Sequence, residues 1–137
     1  MTKVLIDTNI LISAALFPQS IPAQAYMKAV MPPYEAIVCD YSVDEFRRVF
    51  NVKFSHRLHD YDRFVSDMAL AVNIVSVPVE EQYEEDVNKI RDIDDRPIFR
   101  AAVAAKTAVL ITGDKDFLEA DIKTMTIVTA AEFLKMV

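Results

Sequence analysis

Acidic side chains stand in short motifs spread along the chain. Asp7 follows the apolar run Val4-Leu5-Ile6 and precedes Thr8-Asn9. Glu45 closes Ser42-Val43-Asp44-Glu45, and Asp95 precedes Arg96-Pro97. Asp114 and Asp116 lie in Thr112-Gly113-Asp114-Lys115-Asp116-Phe117. Carboxylates that meet in space repel by about 4 kcal/mol per pair at ~4 Å and an effective dielectric of about 20. Protons or divalent cations must then neutralise them, which is the chemistry of metal-assisted phosphoryl transfer. Hard carboxylate oxygens suit Mg2+ or Mn2+ better than zinc or copper. Thr8, Asn9 and Thr112 could hydrogen-bond such carboxylates or metal-bound water. Gly113, the single glycine, allows a tight turn that aims Asp114 inward.

Each acid also has a structural explanation. Asp7 or Asn9 suits the cap of a first helix, and Asp95 and Asp116 suit the caps of later ones. Ser42 and Glu45 have the spacing of a capping box. With Pro97 in the first turn, Asp95 rather than Asp94 takes the cap position and points toward the site. Caps need only short polar side chains, however, and here nearly every such position is acidic.

The elements that would gather these acids follow from the apolar pattern. Val4-Leu5-Ile6, Ala36 to Cys39, Ile74 to Val77, Val109 to Thr112 and Thr126 to Val128 read as short buried strands. Helices are expected over Asn9–Phe17, from Pro22 to before Pro32-Pro33, after Ser42, over Asp60–Ala71, from Pro97 to Ala105, and over Ala130–Met136. A short helix should follow Asp116, and a short exposed helix or loop should surround Val87 and Ile90. This alternation reads as α/β, with a central, mainly parallel sheet of about four to five strands flanked by helices. Ligands of such sheets bind outside the carboxyl ends of the strands. Asp7 and Asp114 follow strands directly, Glu45 follows the second strand by one turn, and Asp95 opens a helix, so all four motifs can converge.

With 137 residues the chain fits a single domain over 1–137. One cysteine, Cys39, excludes an internal disulfide, and one Cys with two His (His56 and His59) cannot build a four-ligand zinc cage. No signal peptide or membrane span is legible, so a soluble, cytoplasmic protein is expected. The net charge of −6 argues against broad nonspecific nucleic-acid binding. The bases are nevertheless concentrated: Arg47, Arg48, Lys53 and Arg57 accompany both histidines in an acid-free run. This run reads either as a phosphate-binding patch or as a solvated helix face.

Taken together, Ile6-Asp7-Thr8-Asn9, Ser42 to Glu45, Asp92-Ile93-Asp94-Asp95 with Ile98 and Ala102, and Leu110 to Phe117 resemble the PIN-domain ribonucleases. The resemblance is to the VapC-like kind found as the toxin of bacterial and archaeal toxin–antitoxin pairs. The resemblance implies a parallel sheet and an Mg2+ or Mn2+ site built by Asp7, Glu45, Asp95 and Asp114, with Asp116 as an accessory. It implies RNA cleavage, pairing as a homodimer and silencing by an antitoxin. On this reading Asp7, Asp95 and Asp114 share the metal, Glu45 completes the site or accepts a proton, and Lys115, Arg47, Arg48 and Lys53 contact backbone phosphates. Two rivals are a small phosphatase with Asp7 as nucleophile, which lacks a second acid at Asn9, and a non-cleaving module that binds RNA or protein.

Overall fold

The computed structural model describes residues 1–78 and 84–137. A five-stranded sheet forms from β1 (Thr2–Ile6), β2 (Tyr34–Cys39), β3 (Asn73–Val75), β4 (Val109–Ile111) and β5 (Thr126–Val128). β3 starts one residue before the expected Ile74 and ends at Val75, and as an edge strand it is largely exposed rather than buried. Their order is β3-β2-β1-β4-β5 and every neighbouring pair is parallel. β1 therefore runs through the middle, paired from Val4 to Ile6 with Val109 to Ile111 and from Thr2 to Leu5 with Tyr34 to Ile37.

The period-2 alternation of strand side chains sorts the core into two layers. On one face Val4, Ile6, Ala36, Val38, Val109 and Ile111 pack against α1 (Thr8–Leu16), α2 (Ile21–Ala29), α3 (Asp40–Lys53), α4 (Leu58–Ala71) and α8 (Ala130–Lys135). On the other, Leu5, Ile37 and Leu110 meet α5 (Glu84–Val87), α6 (Arg96–Ala104) and α7 (Lys115–Leu118). Val87 and Ile90 are fully buried there, so the segment around them, part of an acid-rich run from Glu80 to Asp95, is a packed element rather than the exposed one expected. Glu80 and Glu81, at the start of that stretch, lie outside the described residues.

Several element ends differ from the sequence reading for a local reason. α3 begins at Asp40, directly off β2, with Cys39 at its N-cap and no side-chain cap bond. Ser42 therefore lies inside the helix, its hydroxyl buried without a hydrogen-bond partner, and Ser42 and Glu45 form no capping box. Among the described residues a capping box is formed instead by Thr129 with Glu132, opening α8. Among the described residues no helix is long and apolar enough to cross a membrane.

Candidate functional site

The backbone stitches the carboxyl end of β1 to β4 through Asp7 N donating to Ile111 O at 3.0 Å, and that of β4 to β5 through Thr112 N donating to Val128 O at 3.0 Å. This places Asp7 and the Thr112–Asp116 segment side by side. Asp7 is the N-cap of α1 and only 3 % exposed. Its Oδ1 accepts from Thr8 N at 2.8 Å and its Oδ2 from the buried Thr112 hydroxyl at 2.7 Å. The Thr112 oxygen in turn accepts from Asp114 N at 3.0 Å, and Asp114 Oδ1 accepts from Asp116 N at 2.9 Å. One run of hydrogen bonds thus links Asp7, Thr112, Asp114 and Asp116. Burial pushes Asp7 up to about 6 against these two hydrogen bonds, and the charges of Glu45 and Asp114 push the same way as burial.

Asp95 enters from the other side. It ends the short 3-10 turn Ile93–Asp95 and occupies the N-cap of α6, as its register implied, but its side chain makes no cap bond. Its Oδ2 is buried with no hydrogen-bond partner. Burial first, then a carboxyl–carboxylate hydrogen bond with Asp114 and the Asp114 charge, then Asp7 and Asp92, push Asp95 up to about 8. Asp94 is exposed, which separates it from Asp95. Glu45 is half-buried in the second turn of α3 and is an electrostatic neighbour of Asp7. The sequence-predicted acids Asp7, Glu45, Asp95 and Asp114 are therefore gathered at one sheet edge.

Asp116 joins a second, overlapping group. Oxygens of Asp92, Asp95 and Asp116 lie within 4.8 Å of one another. The sequence reading gave Asp92 no role. Its signal was the three-residue step to Asp95, lost among neighbouring acids. Asp92 also has a local duty, because its Oδ1 accepts from Asp94 N at 2.9 Å. Asp116 does not cap α7; that position belongs to Asp114.

The supporting residues divide. Thr112 holds Asp7 as expected. Thr8 does so through its backbone N–H, while its buried hydroxyl has no partner. Asn9 is exposed, and its side chain makes no hydrogen bond among the described residues. Gly113 has no positive φ, and a Cβ there would meet nothing within 4 Å, so the turn does not require glycine. Of the bases, Lys115 is exposed in the first turn of α7. Arg48 neighbours Tyr41, which itself neighbours Glu45, Asp94 and Asp95. Arg47 pairs with Asp44 at 3.3 Å, and Lys53 lies about 12 Å along α3 from Glu45. Arg57 turns inward, to Asp60 and to Leu16 O at 2.9 Å. The basic run is thus no single patch.

Among the described residues the candidate ligand oxygens gathered here are all carboxylate. A buried oxygen on Asp95 lacks a partner, and two acids are pushed toward protonation. Those features suit a hard divalent cation.

The family model for the PIN domain matches residues 3–116. An uncharacterized protein of Methanocaldococcus jannaschii, MJ1680, is 31 % identical over 120 residues, covering 85 % of this chain and 73 % of its own. Among solved structures, VapBC2 of Rickettsia felis, bound to a DNA fragment from its promoter, is similar with a TM-score of 0.68. It is 13 % identical, covering 93 % of this chain and 98 % of that one. DNA-bound VapBC of Salmonella typhimurium is similar with a TM-score of 0.63 and 14 % identity, covering 95 % and 99 %. At these identities the two structures speak to the fold alone.

Proposed function

The chain belongs to the PIN domain family, and we propose that it is a metal-dependent endoribonuclease, the toxin of a toxin–antitoxin pair. Asp7, Asp95 and Asp114 would hold Mg2+ or Mn2+, with Asp116 and Asp92 beside them. Such a cation activates water and offsets charge developing on a scissile phosphate. Asp7 is oriented for this by Thr8 and Thr112 and stays rigid because it is buried. Glu45, half-buried and close to Asp7, takes the proton of the attacking water. Lys115 and Arg48 contact the RNA backbone at the two sides of the acids, with Arg47 and Lys53 farther along α3. The observation that carries the reading is the Asp95 carboxyl pressed against that of Asp114, with its buried Oδ2 left without a hydrogen-bond partner. Idle caps would not leave a carboxylate in that condition.

The likeness to the VapBC complexes supports a protein antitoxin as partner, and a homodimer is proposed from the family resemblance alone. The test is incubation of the purified protein with structured and single-stranded RNAs in Mn2+, Mg2+ or EDTA. Cleavage with either metal and none in EDTA is expected. Intact RNA under all conditions would return the chain to a non-cleaving module.

A further inference from the structure

We propose that Arg91 is a phosphate-binding residue of this site, gripping the RNA strand at the outer side of the acid cluster. The proposal rests on the ribonuclease reading above. In the structure the Arg91 Nη2 lies 2.9 Å from Asp116 Oδ1 and 2.8 Å from Glu119 Oε2, with the side chain 64 % exposed. A pair this open to water contributes little to stability and exchanges readily.

Neither end of the pair needs it for position. Asp116 is fixed in the first turn of α7, its N–H held by Asp114 Oδ1 at 2.9 Å. The segment carrying Arg91 is anchored independently. Ile90 is fully buried, Lys89 Nζ donates to Asp121 O at 2.8 Å, and Thr124 Oγ1 donates to Asp86 Oδ2 at 3.1 Å. The ion pair is therefore not needed as a strut, which leaves the guanidinium available for another role.

Asp116 also belongs to the group of acids whose oxygens lie within 4.8 Å. An Asp116 that shares an oxygen with a divalent cation holds Arg91 less well, because the two positive charges repel. Arg91 then keeps Glu119 and has donors to spare at the rim of the site. The guanidinium fork matches a phosphate diester better than any other side chain does. On a chain of net charge −6, that cation next to the acids is where a polyanion could approach them. Lys115, the neighbour of Asp116 in sequence, offers the adjoining contact.

The experiment measures binding of a labelled single-stranded RNA of mixed sequence to wild type, Arg91→Ala and Arg91→Gln. It is run with Ca2+ over a salt series, with RNA integrity checked on a gel. Both variants should bind about fivefold more weakly, with a salt slope shallower by about 0.7, the value for one lost phosphate contact on a single strand. Arg91→Gln keeps a hydrogen bond to Glu119, so it separates lost charge from lost structure. If wild type cleaves RNA with Mn2+ and both variants keep its affinity and slope, Arg91 is only a surface ion pair and the proposal falls alone. If wild type neither binds nor cleaves RNA, the ribonuclease reading falls and takes this proposal with it.

Discussion

The Thr112 hydroxyl donates to Asp7 Oδ2 at 2.7 Å while accepting from Asp114 N at 3.0 Å, so one buried oxygen aligns two acids from different strands. Thr112→Val keeps the shape and removes both bonds. The loss should be about 2 kcal/mol at pH 8, where Asp7 is charged, and smaller at pH 5, where it is not. Thr112→Ser should recover most of it. Melting of the three proteins at the two pH values checks this, and equal losses at both would contradict the role.

A second prediction concerns pH. Asp7 and Asp95 bind their protons more tightly in the folded chain than in the unfolded one. Their contribution is full below the ordinary carboxylate value of 3.8 and is lost as pH rises through about 6 and then about 8. Keeping Asp7 ionised costs roughly 3 kcal/mol. Asp60, Asp86, Asp121 and Glu132 are held below their usual range by their partners and act oppositely, losing their contribution as pH falls through those lowered values. The metal-free protein should therefore melt highest near pH 5 and lower at pH 8.5, and Asp114→Asn should flatten the alkaline side. Melting curves in EDTA across this range test both statements.

Glu45 is freed from a capping role by the start of α3 at Asp40. Glu45→Gln should leave the melting temperature nearly unchanged while slowing cleavage on the order of 10²-fold. Full cleavage by the glutamine variant at saturating metal would remove Glu45 from the site.

Gly113 gives a prediction of opposite sign. With no positive φ and open space where a Cβ would project, Gly113→Ala should stabilise the fold by about 0.4–1 kcal/mol through the unfolded chain. Loss of stability in thermal melting would show that the turn needs glycine after all.

The edge strand β3 is largely exposed and reads one residue late from the sequence, whereas the inner strands β1, β2 and β4 were legible because each is a short apolar run buried by helices on both faces. Their carboxyl ends carried Asp7 and Asp114 in plain view. Helix starts were harder. Ser42-x-x-Glu45 is a strong local signal, but β2 runs straight into α3 and the tertiary packing of Phe46 and Phe50 sets the helix, with Ser42 buried inside it. Asp92 looked like one more solvated acid until the turn at Ile93–Asp95 brought it next to Asp95. The Arg91 pairs with Asp116 and Glu119 left no local trace, since their partners lie far apart in sequence and only the fold joins them. Gly113 misled for the reverse reason: the residue type suggested a backbone need that the turn does not have.

Cation binding at the acid edge is measured most directly by melting at pH 8 with and without Mn2+. Wild type should gain roughly 2.7 kcal/mol at a free Mn2+ concentration about 100 times the dissociation constant. Asp95→Asn and Asp114→Asn should each be more stable than wild type in EDTA and lose most of the gain in Mn2+. Identical midpoints for wild type with and without millimolar Mn2+ would contradict a metal site formed by Asp7, Asp95 and Asp114.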